Sequence, residues 1–451
     1  MAQTFIESKA ELIAVLETGC KPKSAWAIGT EHEKLPFCSR TLKRLPYEGE
    51  KGIKALLMGL QRFDWQAVYE NDNIIALEGE NKGSISLEPG GQFELSGAPL
   101  KTLHQTCAEV HNHLAEVREI GQELGIGMLG LGFDPLWKRE DVPWMPKGRY
   151  GIMRDYMPKK GKLGLDMMLR STTVQVNLDF SSEADMVKKF RVALALQPVA
   201  TALFAGSPFL EGKPSGYKSY RAQLWQDTDP DRTGPAHFVF DEGMSFESYV
   251  DYALDVPMYF LYREGTYLDV SGQSFRDFMA GKLRGFEGQL PIINDFNNHL
   301  STIFTDVRMK SFLEMRGADS GPWRAICALP AFWVGLLYDQ EALDAAWDLI
   351  KPLTRDIRQE LFNRAPKNAL ETLYDNDNKK LYDLACEAVA IAEQGLQNRA
   401  IYNETGEDER AYLATLRRRL RDKMAPADRM LALYEGRWGG DVRHAYAEYA
   451  Y

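Results

Sequence analysis

The sequence predicts an α+β fold, an antiparallel or mixed sheet with flanking helices and a helical C-terminal portion. Short runs of period-two alternation cluster between residues 66 and 95 and recur at Thr172–Phe180 and Phe312–Arg316. Helical runs fall between them without regular strand–helix–strand alternation, which disfavours a parallel sheet. From residue 340 to 435 the pattern is mostly helical. No internal repeat, low-complexity tract or linker divides the 451 residues. One domain over 1–451 is therefore expected, with the sheet and any active site at about 20–335 and the helical portion at about 340–451.

In chain order, residues 7–19 read as a helix, and alternation from Ala25 leads into a strand at Ile28–Lys34. A helix at 51–63 precedes the strands of 66–95, which are split by turn signals at Asn71-Asp72-Asn73, Asn81-Lys82-Gly83 and Pro89-Gly90-Gly91. Thr102–Leu124 is amphipathic and stops at Gly125, feeding an apolar strand at Ile126–Phe133. Residues 138–168, rich in Pro, Gly and Arg, read as a long loop suited to substrate contacts. A strand at Thr172–Phe180, a helix at Ser182–Phe204, an irregular stretch at Gly206–Gly234 and a strand at Phe312–Arg316 complete the sheet-bearing part.

A net charge of -10 argues against a general nucleic-acid partner. The run Arg417, Arg418, Arg419, Arg421 reads as a solvated helix face. The longest apolar run, Cys327–Tyr338, is too short to span a membrane, and the first twenty residues carry acids and no apolar signal region. Five cysteines without CxxC spacing form neither a disulfide framework nor a zinc site, so a cytoplasmic protein is expected. Gly125–Gly130 has the letters GxGxxG, but it closes a helix and enters a strand, the reverse of a dinucleotide fingerprint. There is no P-loop either. Any nucleotide site must be assembled from metal ions and scattered side chains.

Four segments place polar groups two residues apart, hence on one strand face. They pair Glu31 with Glu33, Glu314 with Arg316, and Gln175 with Asn177 and Asp179, while Glu88 and Glu94 flank a turn. Singly, each reads as the wet face of an antiparallel sheet, which is common. Together, five glutamates have one cation, Arg316, in their own strands. Clustered carboxylates repel unless something positive sits among them, and Mg²⁺ is the oxygen-seeking ion that also bridges nucleotide phosphates. Magnesium-assisted phosphoryl transfer, two-carboxylate glycoside hydrolysis and a catalytically silent binding protein are all open on these grounds.

Five motifs narrow the choice: GTEHEK at 29–34, SLEPGGQFELSGAP at 86–99, PKGRYGIMRDYMP at 146–158, LGLDMMLRSTTVQVNLDFSSE at 163–183 and EMRGADSGPWRAICALPAFWVGLLYD at 314–339. They closely resemble the plant-type glutamate–cysteine ligases, a family also found in proteobacteria, and the likeness runs from about Glu11 to Tyr451. The resemblance implies a curved sheet forming a funnel, related to glutamine synthetase and guanidino kinases, in a single catalytic domain. It implies L-glutamate, L-cysteine and ATP as substrates with Mg²⁺ as cofactor, γ-glutamyl phosphate as intermediate, no nucleic acid or membrane partner, and a monomer or homodimer. By motif position, Glu31, Glu33, Glu88, Glu94, Gln175 and Glu314 form the metal-ligand set, and Arg316 anchors the glutamate α-carboxylate. Arg149, Arg154 and Arg170 are arginines for substrate carboxylate or phosphate, with Asn177 and Trp323 as pocket walls. The general base for the amine is left unassigned, and a γ-glutamyl ligase with another amine acceptor is the nearest alternative. Of two regulatory disulfides in plant members, the resemblance places one at Cys107 and Cys327; the second pair falls on Val270 and Gly285 and cannot form.

Overall fold

The computed structural model describes residues 5–80 and 83–451; Asn81 and Lys82 of the turn expected at 81–83 lie outside them. Among the described residues nine strands form one antiparallel sheet: β1 (Ile28–Cys38), β2 (Trp65–Glu70), β3 (Asn73–Gly79), β4 (Gly83–Leu87), β5 (Phe93–Ser96), β6 (Ile126–Leu129), β7 (Thr173–Leu178), β8 (Val307–Met309) and β9 (Leu313–Asp319). Their order is β8-β9-β7-β1-β5-β4-β3-β2, with β6 pairing the C-terminal half of β1. The α+β expectation holds, as do the positions of the main strands.

Register assigns the two faces. Glu31 opposes Gln175 and Ser96, Glu33 opposes Glu94, and Glu314 opposes Asn177 on one side and Arg308 on the other. Residues two apart share a face, so these polar side chains line one surface of the sheet. Val174, Val176, Leu178 and Met315 point the opposite way and are buried, beneath helices Glu183–Phe204 and Trp323–Leu337. Both helices are apolar around most of their circumference, as suits helices enclosed between layers. Helices Arg355–Asn368 and Leu381–Arg399 cover them from outside.

Two expectations need correction. Residues 138–168 are not a loop: they contain helix Gly148–Tyr156 and the start of helix Gly164–Arg170. Tyr150, Met153 and Tyr156 form a buried stripe at helical spacing, which the Pro and Gly content masked. The arginine run is only partly solvated, since Arg419 is buried, donates to the Leu203 carbonyl at 2.8 Å and lies over Phe204. No helix among the described residues is long and apolar enough to cross a membrane.

The outer helices do not form a separate layer. A Cβ on Gly395 would lie 1.9 Å from the Gly335 carbonyl oxygen, and one on Gly335 would lie 2.2 Å from that of Ala392. Helices 323–337 and 381–399 therefore meet backbone to backbone, and one hydrophobic core runs from Val174 through Trp333 to Leu396. Gly395→Ala is expected to lower stability by about 1–3 kcal/mol through overpacking, despite alanine's better helix propensity. An unchanged or higher melting temperature would contradict this close approach.

Candidate functional site

The site begins with a turn. Gly91, at φ +77°, supplies a left-handed conformation that suits glycine, and a Cβ on Gly90 would lie 2.2 Å from the Leu169 carbonyl. The Gln92 amide donates to the carbonyls of Met168 and Ser171 and accepts from Gly90 N–H. Arg44, buried and paired with Asp134 at 3.1 Å, donates to the Gly90 carbonyl at 2.7 Å. These contacts fix Glu88 at the mouth of a cavity of about 80 Å³, which Glu33, Arg149, Arg221 and Arg316 also line, with Met153, Met167 and Trp225.

Two electrostatic regions share this face. Among the described residues Glu31, Glu33, Glu88 and Glu94 make no ion pair. Glu31 accepts from the Asn177 amide at 2.8 Å, Glu33 from Thr173 N–H at 3.0 Å, and Glu94 from the Ser96 hydroxyl at 2.6 Å. Burial, reinforced by Glu314 and Glu94, raises the Glu31 carboxyl to about 7. Burial followed by Glu94 and Glu88 raises Glu33 well above the ordinary carboxylate range, and burial followed by Glu88 raises Glu94. Glu314 is the opposite case. It is fully buried, yet Arg308 donates to both its oxygens at 2.8 Å, Arg316 to one at 2.5 Å, and Lys310 stands at 3.6 Å. Burial disfavours its charge, but Arg308, Lys310 and Arg316 outweigh that effect and hold the carboxyl below its usual range.

The expected ligand set is thereby divided. Gln175 accepts from Arg316 at 2.5 Å and so shares that arginine with Glu314, while directly opposing Glu31, one of the four glutamates without an ion pair. Among the described residues no three His, Cys, Asp or Glu side chains already converge as metal ligands do. The four glutamates still suit a hard divalent cation: they are oxygen donors that repel one another, and Mg²⁺ keeps several waters, taking one or two carboxylates together with substrate phosphates.

Arg149 and Asn177 are in the site, Arg149 with its Nε unpartnered. Three expected residues are not. Arg170 is buried against Asp166 at 3.0 Å and over Phe133, Arg154 pairs with its neighbour Asp155 over Trp144, and Trp323 is 36% exposed against His111. The sequence reading missed Asp306, Arg308 and Lys310, whose alternation with Val307 and Met309 marks a short strand, and Arg221, on the five-residue helix Tyr220–Leu224, which carries no comparable signal. Cys107 and Cys327 are buried free thiols side by side behind the sheet; burial, then the hydrogen bond to Cys327, raises the Cys107 thiol.

Residues 27–448 match the family described as Glutamate-cysteine ligase family 2 (GCS2). The chain is 55% identical over 445 residues to the chloroplastic glutamate–cysteine ligases of Nicotiana tabacum and Arabidopsis thaliana, covering 98% of this chain and 83% of each relative. Among solved structures it is similar to the glutamate–cysteine ligase of Francisella tularensis in complex with AMP, with a TM-score of 0.53 and 14% identity over 94% of this chain and 89% of that one. At that identity the likeness concerns the fold. The relatives' names overturn the cytoplasmic expectation, since both are chloroplastic proteins. Cysteine usage separates reducing from oxidising compartments and does not tell a plastid from a cytoplasm.

Glu31 gives a test that needs no metal. Its carboxyl is raised from 4.5 to about 7, so between those limits the folded chain holds more protons than the unfolded one and stability falls as pH rises. In chelating buffer at pH 8, Glu31→Gln is expected to melt about 2 °C above wild type, with the difference closing towards pH 5. A variant that melts lower at pH 8 would mean that Glu31 is electrostatically compensated.

Proposed function

The chain belongs to glutamate–cysteine ligase family 2, and we propose that its carboxylate face joins the γ-carboxylate of L-glutamate to the amine of L-cysteine at the cost of ATP, the first step towards glutathione. The observation that carries this is the division of charge: of four glutamates without ion pairs on one sheet face, Glu33 and Glu88 line a cavity together with Arg149, Arg221 and Arg316, and Glu31 and Glu94 adjoin them in the sheet. Mg²⁺ bound among Glu31, Glu33, Glu88 and Glu94 would neutralise the transferring phosphoryl group and the leaving diphosphate.

The remaining tasks fall to the chain. Arg316 is held from behind by Glu314 and Gln175, each at 2.5 Å, and so presents a fixed guanidinium to the α-carboxylate of glutamate. Arg149 and Lys147, both close to Glu88, serve the triphosphate. The glutamate γ-carboxylate attacks the γ-phosphorus of ATP, releasing ADP and forming γ-glutamyl phosphate, and the cysteine amine then displaces phosphate. No side-chain nucleophile is required; catalysis is positional and electrostatic.

Coupled ADP release is expected only when L-glutamate, L-cysteine and Mg²⁺ are all present, and equal release with other amines would replace cysteine as the acceptor. Arg316→Lys is expected to raise KM for glutamate about tenfold or more with little change for ATP, because an ammonium does not reproduce a bidentate guanidinium contact. An unchanged glutamate KM would remove the anchor role. For the paired thiols, oxidised protein is expected to gain one intramolecular Cys107–Cys327 bridge and reductant to change activity partly, a response that Cys107→Ser abolishes. Mass spectrometry finding both thiols free after oxidation would end that part.

A further inference from the structure

The ligation step needs a neutral amine, whereas an amino acid arrives as an ammonium with no lone pair to attack with. The structure holds one carboxylate suited to this problem that neither the sequence reading nor the proposed metal set uses. Met315 opposes Val307 and Glu314 opposes Arg308, so the next pair along β8 and β9 sets Asp306 opposite Arg316, and Arg316 N–H donates to the Asp306 carbonyl at 3.0 Å. Asp306 therefore continues the face that carries Arg308, Glu314 and Arg316. Its side chain lines a recess whose walls include Arg221, Trp225, Phe304 and Arg316, and these four also line the carboxylate cavity. The recess is small, about 20 Å³, room for one water-sized or ammonium-sized group rather than a whole amino acid.

We propose that Asp306 is the general base for the acceptor amine, a catalytic role that rests on the ligase reading above: the ammonium enters the recess while the rest of the acceptor stays in the main cavity. The charged groups that face Asp306 are Arg221 of helix 220–224 and Arg316 of β9, while helix 183–204 presents Pro198 and Thr201 and the outer helix 355–368 presents Phe362 and Pro366. Among the described residues the Asp306 carboxylate makes no ion pair or side-chain hydrogen bond. Burial raises it from 3.8 to about 6 against the pull of Arg221 and Arg316, so it is ionised at neutral pH and still basic enough to accept a proton. Asp306 takes one proton from the ammonium, and the freed lone pair attacks the acyl carbon of γ-glutamyl phosphate. The carbon–nitrogen bond forms, the carbon–oxygen bond to phosphate breaks with its electron pair, and the second nitrogen proton leaves with the phosphate.

Asp306→Asn separates the two half-reactions. Positional isotope exchange in ¹⁸O-labelled ATP with L-glutamate alone reports acyl-phosphate formation and is expected to stay within about twofold of wild type, while ligation of L-cysteine falls about 100-fold or more. Hydroxylamine, already neutral at pH 7, is expected to lose less than about tenfold, because it needs no base. Cysteine ligation at the wild-type rate would overturn the proposal. So would a parallel loss of exchange and of ligation with both amines, the signature of a structural role. Failure of the ligase reading itself would show elsewhere, as wild-type enzyme without glutamate-dependent exchange, and would overturn both.

Discussion

Like charges brought together out of water repel strongly, and the site is organised around that cost. Glu31, Glu33, Glu88 and Glu94 would relax apart if their backbones allowed it. Strand register holds Glu33 against Glu94 and Glu31 against Ser96, and the Arg44–Asp134 pair locks the turn that carries Glu88. Behind β1, Ser320 donates to the Glu33 carbonyl at 2.7 Å, tying the strand to the turn after β9. The mutual repulsion of these carboxylates is thus borne by the sheet and by the turn that carries Glu88.

Glu314 shows how completely neighbours decide a carboxylate's character. It shares a sheet face with Glu31 and is more deeply buried, yet its charge is stabilised where that of Glu31 is destabilised. The difference lies in Arg308, which delivers two hydrogen bonds from the adjacent strand and donates its remaining contacts to the carbonyls of Ser301 and Ile303. Glu314 in turn steadies Arg316. A chain of alternating charge runs from the edge strand through Arg308, Glu314 and Arg316, and its last member lines the cavity.

Period-two alternation is strict enough that the shared faces of Glu31 with Glu33, and of Gln175 with Asn177, were legible in the sequence. Which strand lies beside which was not, because cross-strand register is a tertiary property; hence Arg308 opposite Glu314 went unseen. Arg170 was read as a substrate arginine because its helix was hidden among glycines and prolines. Once that helix is placed, Asp166 four residues earlier is its evident partner. The reaction and the Cys107–Cys327 pairing came from resemblance in long motifs, since spacing alone left three classes of function open.

The backbone contact between Gly335 and Gly395 bears on how the protein is made. The helix that lies under the sheet meets its cover only after roughly 60 further residues have been synthesised, about 3–12 seconds at ordinary translation rates. Until then Trp333 and its apolar neighbours lack their outer layer. The nascent chain thus emerges with its catalytic strands complete and its core open on one side, which makes that interval the one in which a chaperone has most to protect.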